Sequence, residues 1–256
     1  MLGGCATRSD LSPERIAAIV SSPDRSAADR TNDIRRKPAE MLAFIGVRPG
    51  MVALDVSAGR GYTTELIARA VGPSGKVFGQ TPPPRDPGRA PPAQPEGAAA
   101  PARPAAAVTA PAPTLAERAR NPAASHIVAV VRPFNDPVPP EVANGGLDLA
   151  TLMFNYHDLG HLGVDRARMN RAIFEALKRG GVYVIADHAG RSGTGISESG
   201  TLHRVEEAFV KTEVEAAGFR LAATGNFMRN PADPRDRNTP EPPMPKDEFV
   251  LKFVKP

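Results

Sequence analysis

Asp55 ends a short apolar run, Met51 to Leu54, and a turn of small residues follows it, Ser57-Ala58-Gly59-Arg60-Gly61. A helical pattern comes next, with Leu66, Ile67, Ala70 and Val71 apolar and Glu65 and Arg69 polar. Strand, glycine turn, helix is the unit that aims backbone N–H groups and a helix N-terminus at a nucleotide-like ligand. Two later strand ends also carry chemistry: Asn155-Tyr156-His157-Asp158 and Asp187-His188. His157 beside Asp158 has the composition of a general base with an orienting carboxylate, and His188 is a second candidate. Open α/β sheets bind ligands at the carboxyl ends of their strands, where all these residues fall.

The third glycine of a dinucleotide fingerprint is missing. Counting on from Gly59 and Gly61, its place is taken by Thr64. A pyrophosphate needs close helix–strand packing at that point, so Thr64 speaks against an NAD(P) site and against a nicotinamide-dependent oxidoreductase.

The elements that must position these residues follow from periodicity and punctuation. Ser12-Pro13 opens a helix with Ile16, Ile19 and Val20 on its apolar side. Residues 21–33 read as polar and turn-rich. Pro38 starts a helix that buries Met41, Leu42 and Ile45 and ends at Gly46. Lys76 to Gln80 is the second strand, and the two strands with their helix form a right-handed βαβ unit. Leu115 to Arg118 is a short helix, Ile127 to Val131 a buried strand, and Leu147 to Phe154 the next one. Arg166 to Leu177 is an amphipathic helix closed by a turn at Lys178-Arg179-Gly180-Gly181, and Val182 to Ala186 is a strand. A helix is expected over Thr201 to Ala217, and strands over Phe219 to Met228 and Phe249 to Val254. The last connection, rich in Pro, Asp and Arg, is too polar for a helix, which predicts an antiparallel hairpin at the edge of a mostly parallel sheet.

The chain of 256 residues fits one α/β domain with extensions. Residues 1–36 read as an N-terminal tail and helix, and 37–256 as the main domain. From Pro82 to Pro113, Pro and Ala supply 22 of 32 residues. Such a stretch cannot bury enough surface to offset its ordering entropy, so a disordered insert is expected there. The net charge is +4 with no basic run longer than Arg35-Arg36-Lys37, so no nucleic-acid partner is expected. A single cysteine, Cys5, excludes an internal disulfide. No stretch approaches the ~18 apolar residues of a membrane helix. Leu2-Gly3-Gly4-Cys5 resembles a bacterial lipobox, although no charged and apolar leader precedes it. A cytoplasmic protein is expected, with a lipid-anchored envelope protein as the alternative if the start lies upstream.

Seven strands alternating with helices, Asp55 before Gly59-Arg60-Gly61, and the phrases GLDLATLMFNYHD and MNRAIFEALKRGGVYVIADH together resemble the class I S-adenosylmethionine (SAM)-dependent methyltransferases. The resemblance runs from about Lys37 to the C-terminus. More narrowly, YTTELIARAVGPSGKV, NYHD and RNPADPRD resemble a bacterial predicted-methyltransferase group. The resemblance implies a Rossmann-like seven-stranded sheet, mostly parallel with an antiparallel last strand and helices on both faces. It implies SAM as cofactor, held by Asp55, Ser57, Gly59, Gly61, Gln80, Asp136 and Asn155. Asp55 would accept from the ammonium group and Asp136 from the adenine amino group.

Gln80 stands where the family usually has an acidic residue for the ribose hydroxyls, which implies a weaker contact made through its amide. Ser57 replaces the first glycine of the usual turn, which implies an ordinary φ there. Arg35, Arg36 and Lys37 are candidates to clamp the SAM carboxylate.

Methyl transfer from a sulfonium needs alignment and desolvation, and a base only where the acceptor is protonated. His157, Asp158 and His188 are the catalytic candidates. Tyr156 and His203, with Arg204 beside it, are the substrate-side ones. The acceptor class expected is a small molecule, and a non-catalytic SAM-binding module on the same fold is the alternative. His157, Asp158, His161 and His188 are also metal-ligating types. The H-D-x-x-H spacing lies in a loop rather than along a helix face, so it predicts no metal.

Overall fold

A computed structural model describes residues 10–84, 111–238, 240 and 244–256. The lipobox-like Cys5 and most of the Pro/Ala-rich 82–113 segment lie outside the described residues.

Seven strands form one sheet in the order β3-β2-β1-β4-β5-β7-β6. They are β1 (Val52–Val56), β2 (Lys76–Thr81), β3 (Ile127–Val131), β4 (Leu147–Met153), β5 (Leu177–His188), β6 (Arg220–Gly225) and β7 (Glu248–Val254). The first five strands are mutually parallel. β7 runs antiparallel to both β5 and β6, as the polar last connection predicts. The chain steps outward from β1 to β2 and β3, then returns to lay β4 on the other side of β1. This reversal makes a topological switch point at the carboxyl ends of β1 and β4.

Helices cover both faces. α1 (Pro13–Val20), α3 (Pro38–Ile45) and α4 (Tyr62–Val71) bury Ile16, Ile19, Met41, Leu42, Ile45 and Ile67 against one face. α7 (Arg166–Ala176) and α8 (Glu207–Ala216) bury Met169, Ile173, Val210 and Val214 against the other. Ser12 caps α1 as its Ser-Pro start requires, and Gly46 ends α3 in the left-handed region at φ 72°.

Three expectations are corrected. Residues 27–36 form a helix, α2 (Ala27–Arg36), not turns. Its side chains AADRTNDIRR carry no apolar stripe, so periodicity is blind to it. Ser26 caps it, and it packs through ion pairs. The Lys178–Gly181 turn belongs to β5, whose first residue Leu177 pairs with Leu147 before a register shift. The helix expected from Thr201 begins only at Glu207. Val205 instead bridges Ala189 in parallel, and His203 sits at φ 51°.

α2 is held by charge. Arg118, on the short helix α5 (Leu115–Arg118), donates to both oxygens of Asp29 at 2.7 and 2.9 Å and to Glu65 of α4. Its Nε donates to the Arg60 carbonyl in the glycine turn at 2.6 Å. Arg25 pairs with Asp33 at 2.7 Å, and Tyr62 donates its hydroxyl to Asp33 at 2.6 Å. Burial disfavours ionised Asp29, but the Arg118 bonds and charge outweigh it and hold that carboxyl below its usual value. Removing one partner of such a buried pair strands the others without solvent. Arg118→Met is therefore expected to destabilise the protein by about 3–5 kcal/mol in urea unfolding. A loss under about 1 kcal/mol would place the network among the weak surface pairs.

Candidate active site

Asp55 ends β1 at the switch point and is buried at 2% exposure. Its two oxygens accept different hydroxyls, Oδ2 from Thr64 Oγ1 at 2.6 Å and Oδ1 from Thr151 Oγ1 at 2.7 Å. Thr64 thus does more than break a dinucleotide pattern: its hydroxyl orients the carboxylate from α4, while Thr151 does so from β4. A carboxylate can accept more than these bonds, so capacity remains for a further donor. Burial pushes the Asp55 carboxyl up to about 6, against the opposing pull of the two threonines and of Arg36.

The turn after Asp55 is bound on every side. Ser57 lies at φ 58°, in the left-handed region, so the ordinary φ expected from its identity is corrected. Local bonds hold it there: its N–H donates to Gln80 Oε1 at 2.9 Å and its hydroxyl donates to Asn155 Oδ1 at 2.6 Å. Gln80 is fully buried and donates its own amide to the Arg132 carbonyl at 2.6 Å. Both ends of Gln80 are thus spent inside the protein. It supports the turn and does not present itself to a ribose, which corrects that expectation.

Gly59 and Gly61 are at φ 56° and 84°. A Cβ on Gly61 would fall 2.6 Å from Leu115 Cδ2, because α5 packs directly on the turn, whereas one on Gly59 would meet nothing within 4 Å.

Asp55, Ser57, Gly59 and Asn155, together with Arg36, Tyr62 and Phe154, line a cleft of about 370 Å³. The volume is that of a small-molecule site. Arg35 is tied to Glu248 at 2.9 Å and Lys37 to the Phe227 carbonyl at 2.5 Å. Of the three basic residues, Arg36 alone lines the cleft, its guanidinium 4.1 Å from the Phe154 ring centroid. Burial, reinforced by the charge of Arg35, lowers the Arg36 pKa to about 10. Asp136 lies elsewhere: it pairs with Arg132 and is absent from the cleft lining.

The catalytic and substrate candidates separate. His157 is buried between two carboxylates: Nδ1 faces Asp187 Oδ1 at 2.6 Å and Nε2 faces Asp158 Oδ1 at 3.2 Å. Burial alone would lower its pKa, but the charge of Asp187 and the bonds of both carboxylates raise it to about 9. The imidazole is then a cation at neutral pH with both nitrogens engaged, which removes it as a free base. Asp158 is held down at about 2 against its own desolvation by His157 and His203. His188 is largely buried, its Nδ1 2.9 Å from Glu248 Oε1. Burial drives its pKa well below the ordinary histidine value.

Tyr156 is fully buried and donates to Glu213 at 2.8 Å while accepting from Asn170 at 3.1 Å. It belongs to the core and not to a substrate surface. His203 is half-exposed with Nδ1 2.9 Å from Asp158 Oδ1. Arg204 is fully buried on Asp233 at 2.9 Å and does not border a site. Reasoning from sequence misses Thr151, and it names Asp187 without its partner. Thr151 lies inside a strand and carries no local signal. Asp187 is recognised only as the neighbour of His188, although its partner is His157, thirty residues away.

Comparison with known proteins agrees with the topology of this sheet. Residues 7–81 match the sequence model of the protein-L-isoaspartate(D-aspartate) O-methyltransferase family. A SAM-dependent methyltransferase from Aquifex aeolicus superposes with a TM-score of 0.54 at 16% identity, over 96% of this chain and 100% of that one. The fold is that of the class I SAM-dependent methyltransferases.

A chain from the Haloferax volcanii complex of a methyltransferase with the Trm112 activator gives a TM-score of 0.53 at 15% identity, covering 96% and 99%. The arsenic(III) SAM methyltransferase of Chlamydomonas reinhardtii gives 0.51 at 15%, covering 96% of this chain and 74% of that one. No curated protein matches the sequence. In this methyltransferase fold, the glycine turn and Asp55 stand at the sheet's switch point. No helix among the described residues is long and apolar enough to cross a membrane.

The two glycines have different jobs, and alanine separates them. Gly59→Ala is expected to cost about 1–2 kcal/mol for its left-handed φ alone. Gly61→Ala adds an overlap with Leu115 worth about 1–3 kcal/mol more. Thermal unfolding should rank them in that order, and equal losses would contradict the packing assigned to α5.

Proposed function

We propose that the chain is a SAM-dependent methyltransferase acting on a small-molecule acceptor. The observation that carries this is Asp55: a buried carboxylate held by Thr64 and Thr151, with acceptor capacity to spare, at the mouth of a glycine-turn cleft. The ammonium group of SAM binds Asp55, and the SAM carboxylate binds Arg36 as a charge-assisted pair. The left-handed Ser57, Gly59 and Gly61 let the backbone approach the amino-acid end and ribose. A second concavity, of about 420 Å³, opens at the carboxyl ends of β2 and β3 between Phe134, Asn135, Leu162 and Val164. Two open concavities of small-molecule volume support a small acceptor.

The cofactor supplies the driving force of an in-line displacement, and the chain supplies alignment. Asn155 is the pivot: it lines the cleft, accepts from Ser57 and donates to Asp158 at 2.7 Å. The spent amide of Gln80 favours one rival reading, a fold that binds SAM without transferring its methyl group. Tritiated SAM incubated with a metabolite extract separates the two, because label in any product excludes the inert module.

Calorimetry should show micromolar SAM binding that Asp55→Ala and Arg36→Ala each weaken at least about tenfold, or ~1.4 kcal/mol. Asp55 must be ionised to accept from the ammonium, and its pKa is raised to about 6. Affinity is therefore complete above that pH and falls as pH drops through it, by up to about tenfold per unit. A flat profile between pH 5 and about 8, or wild-type binding by Asp55→Ala, would contradict the assignment.

A further inference from the structure

Four of the chain's five histidines converge at the carboxyl ends of β4 and β5. Ring centroids are 5.3 Å apart for His157 and His188, 5.6 Å for His157 and His203, and 5.7 Å for His161 and His203. They come from three separate segments, so the fold and not local sequence assembles them. Asp158 is the hub, its Oδ1 lying 3.2 Å from His157 Nε2 and 2.9 Å from His203 Nδ1.

The other nitrogen of His157 faces Asp187, which is fully buried and also accepts the backbone N–H groups of His157 and His188 at 2.7 Å each. A buried carboxylate on Nδ1 fixes the ring and aims Nε2 outward, the arrangement that orients metal-binding histidines. Donor atoms of His157, Asp158 and His203 all lie within 4.8 Å of one another.

We infer that His157 Nε2, Asp158 Oδ1 and His203 Nδ1 bind a divalent first-row transition metal, with Asp187 as the carboxylate behind His157. The two edges to Asp158 Oδ1, 3.2 and 2.9 Å, and a third within 4.8 Å fit around an ion with bonds of about 2.0–2.2 Å. Two imidazoles select zinc, iron, nickel or copper over magnesium or calcium. Three protein ligands leave open positions. Half-exposed His203 and Asp158 give the ion a way in. Asn155, which lines the cofactor cleft, donates to Asp158 and so connects the two places.

The spacing H-D-x-x-H is misleading in two ways. Asp158–His161 is a helical turn, α6, not a loop, and the missing ligand is His203, well downstream.

The test uses tag-free, full-length, chelator-stripped protein titrated with Co2+ alone, without SAM, so its outcome is independent of the methyltransferase reading. One Co2+ per chain is expected, with visible ligand-field bands that Zn2+ abolishes by displacement. His203→Ala and Asp158→Asn should each raise Kd at least about tenfold, and Asp187→Asn about 10–100-fold, as outer carboxylates of bound histidines do. His126→Ala, outside the cluster, should leave Kd unchanged. Circular dichroism verifies that each variant is folded, and the two ligand variants serve as replicates should one fail to fold. No Co2+ binding, or equal affinity in the wild type and the folded ligand variants, overturns the site and leaves a hydrogen-bonded histidine cluster.

Discussion

A carboxylate without solvent organises this protein. Asp55 is taken out of water at the end of β1, which alone would favour its neutral form. Two threonine hydroxyls, from α4 and from β4, compensate in part and fix the direction of the remaining lone pairs. The position of Asp55 thus depends on the helix after it and on the strand beside it at once. Both are delivered by the βαβ connection and by the return of the chain to β4 across the switch point. The residue that defines the cleft is therefore also a reporter of correct sheet assembly.

A continuous hydrogen-bonded chain leads away from that point. Gln80 holds Ser57, Ser57 holds Asn155, Asn155 holds Asp158, and Asp158 gathers His157 and His203. The cofactor side and the histidine side are thereby parts of one polar network laid across the ends of β2, β1, β4 and β5. On the opposite rim, Arg118 ties α2, α4 and the Arg60 carbonyl together. That buried pairing closes the turn from outside and brings Leu115 close over Gly61. The phrase RNPADPRD, chemically suggestive on its face, is absorbed in the same way: Asp233 accepts from buried Arg204 and from the Asp247 backbone, fastening the start of β7.

Most of the fold is legible in the sequence, because strands with buried apolar runs and helices with apolar stripes announce themselves. α2 is not, since its packing rests on Asp29 pairing with Arg118, far away in sequence, and on Asp33 pairing with Arg25 just ahead of the helix. The Thr201 helix is overread because Val205 contributes to apolar periodicity yet is used as a bridge to Ala189. Within the site, the strand, turn and helix that carry Asp55, Gly59 and Gly61 are readable from type and spacing. Gln80, Tyr156 and His157 are misassigned for one shared reason. Residue type at a strand end suggests availability, whereas a polar group's availability depends on partners from other segments. Ser57 shows the converse. Its side chain suggests an ordinary backbone, and two hydrogen bonds make the left-handed one affordable.

Where the cofactor's amino-acid end lies decides the role of Asp55. A crystal structure with S-adenosylhomocysteine should place the ligand's ammonium within hydrogen-bond distance of Asp55 and its carboxylate on Arg36, with Thr64 and Thr151 still donating to Asp55. A ligand bound away from the glycine turn, or an Asp55 cleft left vacant at saturating ligand, would contradict it.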